Sequence, residues 1–236
     1  MSVCEAGNDL DATGNRRVVI ESRRAPIVDR AELSFAFRAE QIVSMPAIRH
    51  RWSINDVERL IDARDGLTPR YELVDGELLV TAAPTHRHQR LIFRLALLLY
   101  PYLTRHKLGE VFLGPGELKL VNGDRYEPDL FVIPAIEGRR PTIADALIEP
   151  LLVCESLSPG SARHDRITKR RSFQRNGVAD YWIIDGDARA FEVWRPGDER
   201  PAIVDDRLIW HPRDAEETFE LDVPCFFASV EDDAPL

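Results

Sequence analysis

The stretch Tyr126-Glu127-Pro128-Asp129-Leu130-Phe131-Val132-Ile133 and its companion Leu151-Leu152-Val153-Cys154-Glu155 decide how this chain is read. Each is an apolar run of strand length with one carboxylate at its edge: Asp129 opens Leu130 to Ile133, and Glu155 closes Leu151 to Cys154. A carboxylate flush against such a run sits at the rim of a sheet or is held by a cation, because an unpaired buried charge is costly. Two such acids at the ends of neighbouring core strands suit a hard divalent cation, which prefers oxygen ligands.

Downstream, Pro159 to Asn176 reads as a basic helix stopped by Gly177. Its apolar content is chiefly Ile167 and Phe173, which predicts shallow packing near an edge or cleft. A further strand follows at Tyr181 to Ile184, then the turn Asp185-Gly186, a hairpin strand at Ala190 to Trp194 and an acidic β-rich region through Phe227. Upstream, Glu117 to Val121 and Val111 to Leu113 are of strand length, and Asn122-Gly123 marks a tight turn. Before them Leu91, Ile92, Leu95, Leu98, Leu99, Tyr102 and Leu103 recur at helical spacing, with Lys107 and Gly109 as the stop and Pro101 near the end. Asp75-Gly76 between two apolar runs predicts a β-hairpin over 71–81, and Ser53 or Asn55 caps a short helix ahead of it. The order is an α/β sandwich around a mixed β-sheet flanked by helices, with added β-hairpins. We read 1–48 as a partly disordered N-terminal extension, 49–230 as the domain and 231–236 as an acidic C-terminal tail.

A chain of 236 residues with 44% hydrophobic content builds one substantial core rather than two full domains. No apolar stretch is long enough for a membrane span, and the N-terminal MSVCEAGNDLDATGNRR has polar residues where a signal peptide needs an apolar core, so a soluble cytoplasmic protein is expected. Cys4, Cys154 and Cys225 form no CxxC pair and read as buried free thiols. The net charge of −9 opposes nucleic-acid binding at first sight. However, residues 180–236 hold 16 acidic against 5 basic residues, which leaves the rest slightly positive. Arg163, Arg166, Lys169, Arg170, Arg171 and Arg175 cluster with only Asp165 opposing them. The ordinary alternative for such a patch is a solvated helix face.

Hydrolysis of a phosphodiester needs charge neutralised at the phosphate and a water made nucleophilic, and a divalent cation supplies both. Asp129 and Glu155 are the candidate ligands, and Lys169 could reach the water or phosphate if its helix packs back over the strand ends. Each has an ordinary alternative: Asp129 in a turn, Glu155 at a helix N-terminus, Lys169 in solvent. Lysine is scarce, with only Lys107, Lys119 and Lys169 among 31 basic residues, so a lysine amid arginines hints that a compact ammonium is wanted. His86 and His88 are two apart and share no helical face, which makes them a poor chelate; one packs and the other is solvated. Trp182, Trp194 and Trp210 read as core.

Tyr71-Glu-Leu-Val-Asp-Gly-Glu, His88-Gln89, Tyr126-Glu-Pro-Asp-Leu, Glu155-Ser-Leu-Ser-Pro, Asp165, Lys169 and Gly177-Val-Ala-Asp-Tyr-Trp-Ile-Ile-Asp together resemble the Uma2 family, over about residues 52 to 195. The resemblance implies a restriction-endonuclease-like core of the PD-(D/E)xK type, Mg2+ dependence with Mn2+ as a substitute, and Asp129 and Glu155 as metal ligands. Ordinary members carry the lysine two residues after the glutamate; here that position is Leu157, and Lys169 would replace it from the helix. Glu72, Glu77 and Asp165 match the pattern and could supply a further acid, although solubility of the hairpin accounts for Glu72 and Glu77 about as well. Ser156, Gly160 and Phe173 depart from the family's usual Val, Ser and Tyr. The function expected is a metal-dependent endonuclease whose Arg163, Arg166, Arg170 and Arg171 contact the nucleic-acid backbone, with DNA ahead of RNA and a homodimer expected for duplex cutting. The alternatives are a catalytically inactive nuclease-fold module that binds nucleic acid or protein, and a hydrolase of small phosphate esters.

Overall fold

A central six-stranded sheet has the order β10-β9-β8-β7-β6-β3. It is built from β3 (Gly109–Leu113), β6 (Leu130–Pro134), β7 (Leu152–Ser156), β8 (Tyr181–Asp185), β9 (Ala190–Trp194) and β10 (Ala202–Val204). Only β7 and β8 run parallel; the segment joining them contains the basic helix. The structure is a computed structural model and describes residues 51–66, 68–141 and 149–231. The expected 1–48 extension, and the 231–236 tail apart from Glu231, lie outside the described residues.

Strand alternation sends alternate side chains to two separate cores. On β8, Trp182 and Ile184 enter one core while Tyr181 and Ile183 enter the other, which is why the strand reads as unbroken apolar sequence. The first core lies under α2 (His86–His106), whose Leu91, Leu95, Leu99 and Leu103 form its buried stripe. It is completed by β11 (Arg207–Trp210), β12 (Phe219–Asp222) and α4 (Val223–Ala228). The second core lies under a four-stranded sheet of order β2-β1-β5-β4, made by β1 (Arg70–Val74), β2 (Glu77–Thr81), β4 (Leu118–Lys119) and β5 (Arg125–Tyr126). The π-helical segment His164–Lys169 and α3 (Arg170–Arg175) pack with it through Phe173, which meets Tyr126 and Tyr181. Among the described residues no helix is long and apolar enough to cross a membrane.

Local signals explain the element ends. Ser53 caps α1 (Ile54–Asp62) in a capping box with Asp56. The 71–81 hairpin forms with Asp75 and Gly76 both at positive φ, the conformation that a tight two-residue turn requires. Lys107, rather than Gly109, takes the left-handed position that ends α2, at φ 54°.

Four expectations change. Glu155 does not close its strand: β7 extends through Ser156, so the residue lies within the strand and its carboxylate projects from a face of the sheet. The Glu117 to Val121 run shrinks to the two residues of β4. Cys225 is exposed, so of the described thiols only Cys154 is buried. The basic helix is not shallow, because it buries Asp165, Lys169, Ser172 and Phe173 while Ile167 faces outward. Its inward face is mostly polar, so apolar periodicity could not reveal it.

Candidate active site

The register of the central sheet builds the site. In the antiparallel pair β6/β7, Leu130 opposes Cys154 and Phe131 opposes Val153, so Asp129, one residue before β6, falls beside Glu155 on the same face. The Asp129 amide donates to Glu155 Oε2 at 3.3 Å, and the Ser156 amide donates to Asp129 Oδ2 at 2.9 Å. Gly114 lets the chain after β3 pack closely against the backbone of Pro128 and Asp129. Its amide donates to the Asp129 carbonyl at 2.9 Å, and a Cβ there would stand 2.5 Å from the Pro128 carbonyl oxygen.

From the opposite layer, β1 presents Arg70, Glu72 and Val74 on one face, all buried. Arg70 donates to Asp129 Oδ1 at 2.7 Å and to the Glu127 carbonyl at 3.1 Å. Glu72 Oε1 accepts from the Glu127 amide at 2.9 Å, and its Oε2 lies 2.8 Å from Lys169 Nζ. Lys169 Nζ also donates to Glu155 Oε1 at 2.7 Å and stands 3.6 Å from Asp165 Oδ1, one helical turn earlier. His88, in the first turn of α2, puts Nε2 2.9 Å from Asp129 Oδ2.

Four carboxylates (Glu72, Asp129, Glu155, Asp165) therefore face two permanent cations, Arg70 and Lys169, and a histidine whose charge depends on its protonation. All six of the former are buried. Burial pushes Asp129 up, but His88 and Arg70, with the Ser156 amide, outweigh it and hold the acid well below the usual carboxylate range. Glu155 goes the other way: burial pushes it well above, Lys169 opposes this, and Asp129, Asp165 and Glu72 add to it. Burial likewise raises Asp165. Lys169 is raised despite its own burial, because Glu155, Glu72 and Asp165 surround it. Acidic groups outnumber the permanent cations four to two, so burial and mutual repulsion push Glu155 and Asp165 towards their protonated forms.

Two adjacent acids, Asp129 and Glu155, in a cluster where acids outnumber cations, fit a divalent cation, which favours their ionised forms. Among the described residues no three His, Cys, Asp or Glu side chains converge as a ready-made cage. A cation of the Mg2+ type needs only one or two carboxylates plus water and substrate oxygens. Asp129, Glu155 and Lys169 line a cleft of about 490 Å³ whose walls are the 81–85 and 156–161 loops.

The chain matches the profile of the Uma2 family, described as "Putative restriction endonuclease", over residues 54–224. The chain belongs to the Uma2 family. This Uma2 chain is also similar to a crystal structure of a "putative nuclease belonging to DUF820" from Anabaena variabilis, at 20% identity and TM-score 0.60 over 74% of this chain and 98% of that one. At that identity the likeness shows a shared fold. No curated protein matches.

Of the residues expected at the Uma2 site, the structure brings Asp129, Glu155, Lys169, Glu72 and Asp165 together. Glu77 opposes Val74 at the turn end of the hairpin, away from the Arg70 end that meets Asp129. The arginines divide. Arg163 and Arg171 are exposed, Arg166 is held by Glu192 at 2.6 Å and Asp185 at 2.7 Å, and the Arg170 guanidinium lies 4.7 Å over the Trp194 ring. Sequence reasoning missed Arg70 and the aim of His88 at Asp129. Alternation along β1 places Arg70 on the face of Glu72 and was the available signal. His164, which also lines the cleft, carried none.

Proposed function

We propose that the chain is a metal-dependent endonuclease that hydrolyses nucleic-acid phosphodiester bonds in the cleft beside Asp129, Glu155 and Lys169. The observation that carries this reading is the position of Lys169 Nζ, within 2.8 Å of both Glu72 and Glu155 although it comes from a separate helix. Asp129 and Glu155 would hold Mg2+, with Mn2+ as a substitute. When bound, the cation neutralises phosphate charge and lowers the pKa of a water.

The chain's own groups do the rest. Arg70, His88 and the Ser156 amide keep the Asp129 carboxylate ionised and fix its rotamer. Glu72 and Glu155 hold the Lys169 ammonium in place, where it can orient a water or offset charge developing on the phosphate. Asp165 adds a longer-range hold on that ammonium. Exposed Arg163 and Arg171 are suited to backbone phosphates, which position a nucleic acid without reading its sequence. We favour DNA over RNA, and a two-fold dimer for cutting both strands.

The test is nicking of supercoiled plasmid by the purified chain in Mg2+ or Mn2+, beside EDTA, Asp129→Ala and Glu155→Ala. Metal-dependent nicking that both substitutions abolish supports the reading. An intact plasmid in every lane removes it, and activity that survives both substitutions places the chemistry elsewhere.

A further inference from the structure

A second cavity, of about 450 Å³, opens beside the acid cluster and shares Arg70, His88 and Asp129 with the first cleft. Its remaining wall is of a different character. Ile92 and Phe93 of α2, Leu113 of β3 and Pro115 give it an apolar lining, with Gln89 one turn before Phe93. Phe93 is 58% exposed, more than any other Phe, Tyr or Trp among the described residues, and Leu113 is 42% exposed. Among the described residues most of the other large rings are buried or half-buried, and Tyr100, at 48%, is the one other that is exposed; Phe93 is the one that stands at the mouth of this cavity.

We propose that this cavity is a nucleobase subsite that takes one unpaired or extruded base next to the scissile phosphate, with Phe93 as its stacking platform. The inference rests on the nuclease reading and adds to it how the substrate is held. A phosphate at Asp129 must carry its sugar and base into neighbouring space, and on this side that space is walled in part by Ile92, Phe93, Leu113 and Pro115. Stacking on an exposed aromatic ring suits any base, since each has a π-face. Gln89 and Phe93, four residues apart on one helix face, place an amide with both donor and acceptor capacity beside the ring, where it can meet the edge of a stacked base. A paired base inside a duplex presents no free face, so the subsite selects single-stranded or locally opened nucleic acid.

The test uses a short single-stranded DNA with a cleavage-resistant phosphorothioate backbone and one 2-aminopurine, in Mg2+, titrated with the full chain. Stacking quenches 2-aminopurine fluorescence. The expected result is quenching by the wild-type chain that is lost in Phe93→Ala, with binding weakened about tenfold by anisotropy. Phe93 is exposed, so its removal leaves the melting temperature nearly unchanged. Quenching and affinity that are equal in the two proteins overturn the subsite, while plasmid nicking that depends on Asp129 would leave the nuclease reading intact. A wild-type dimer in sedimentation that Phe93→Ala dissociates also overturns it, by assigning Phe93, Leu97 and Tyr100 to an interface between copies. Failure of the wild-type chain to bind the oligonucleotide at all overturns the subsite, while the nuclease reading stands or falls with Asp129-dependent plasmid nicking.

Discussion

Lys169 Nζ donates to Glu155 Oε1 at 2.7 Å inside a site where both side chains are almost wholly buried, and the same ammonium lies 2.8 Å from Glu72. One cation thus serves two acids from two different sheets. Removing it strands both carboxylates out of water. We predict that Lys169→Met lowers unfolding free energy by about 3–5 kcal/mol. Adding Glu72→Gln should recover part of that loss in a double-mutant cycle measured by urea unfolding. Strict additivity of the two changes would mean that the pair is not coupled.

Glu155 sets a pH dependence. Its folded pKa lies above the ordinary 4.5, so between the two values the folded state binds the proton more tightly than the unfolded chain. Its contribution to stability is therefore present at low pH and is lost as pH rises from about 4.5 towards the folded value, with a slope of at most about 1.4 kcal/mol per pH unit. Asp129 acts oppositely: its folded pKa lies below the ordinary 3.8, so its contribution is present above that value and lost as pH falls towards the folded one. Metal-free urea titrations at several pH values should show Glu155→Gln flattening the decline on the alkaline side. A Glu155→Gln profile parallel to the wild type above pH 5 would contradict the assignment.

His88 reaches Asp129 from α2 at 2.9 Å and fixes the carboxylate that would face the cation. Replacing it with Ala should weaken Mn2+ affinity by roughly 10–100-fold, the usual effect of losing a group that orients a ligand. The measurement is the rise in melting temperature with Mn2+ concentration, which Asp129→Asn should abolish. Unchanged Mn2+ affinity in His88→Ala would remove this role.

Gly114 packs its backbone against Pro128 and Asp129. In Gly114→Ala the new methyl carbon would start 2.5 Å from the Pro128 carbonyl oxygen, so the chain before Asp129 has to move. Expected are a stability loss of about 1–3 kcal/mol and a fall in nicking larger than that loss explains. Gly123→Ala, where the space is open, is the comparison for stability alone; there only the positive φ of 84° is strained.

Much of this was legible in the sequence because it rests on local rules. Asp75-Gly76 specifies the hairpin, the leucine stripe of α2 specifies its buried face, and the apolar runs around Asp129 and Glu155 mark core strands. Those acids and Lys169 stood out by residue type and position. What was not legible came from tertiary packing. Arg70 becomes a partner of Asp129 only when the four-stranded sheet lies over the central one. The basic helix hid its inward face because Asp165, Lys169 and Ser172 are polar, and hydrophobic periodicity is blind to a face that buries ion pairs. Two of the arginines expected at nucleic acid, Arg166 and Arg170, are engaged by Asp185, Glu192 and Trp194, partners that β8 and β9 bring from later in the chain.

The role proposed for Lys169 is to serve, from the helix after β7, the acids on the strands. Its most direct test is the rate of supercoiled-plasmid nicking by Lys169→Met in Mg2+, at a temperature where circular dichroism shows the variant folded and Mn2+ still raises its melting temperature. Expected is a loss of nicking by at least about 100-fold with metal binding retained, the scale of removing one group that stabilises transition-state charge. Nicking at the wild-type rate by the folded variant would contradict it.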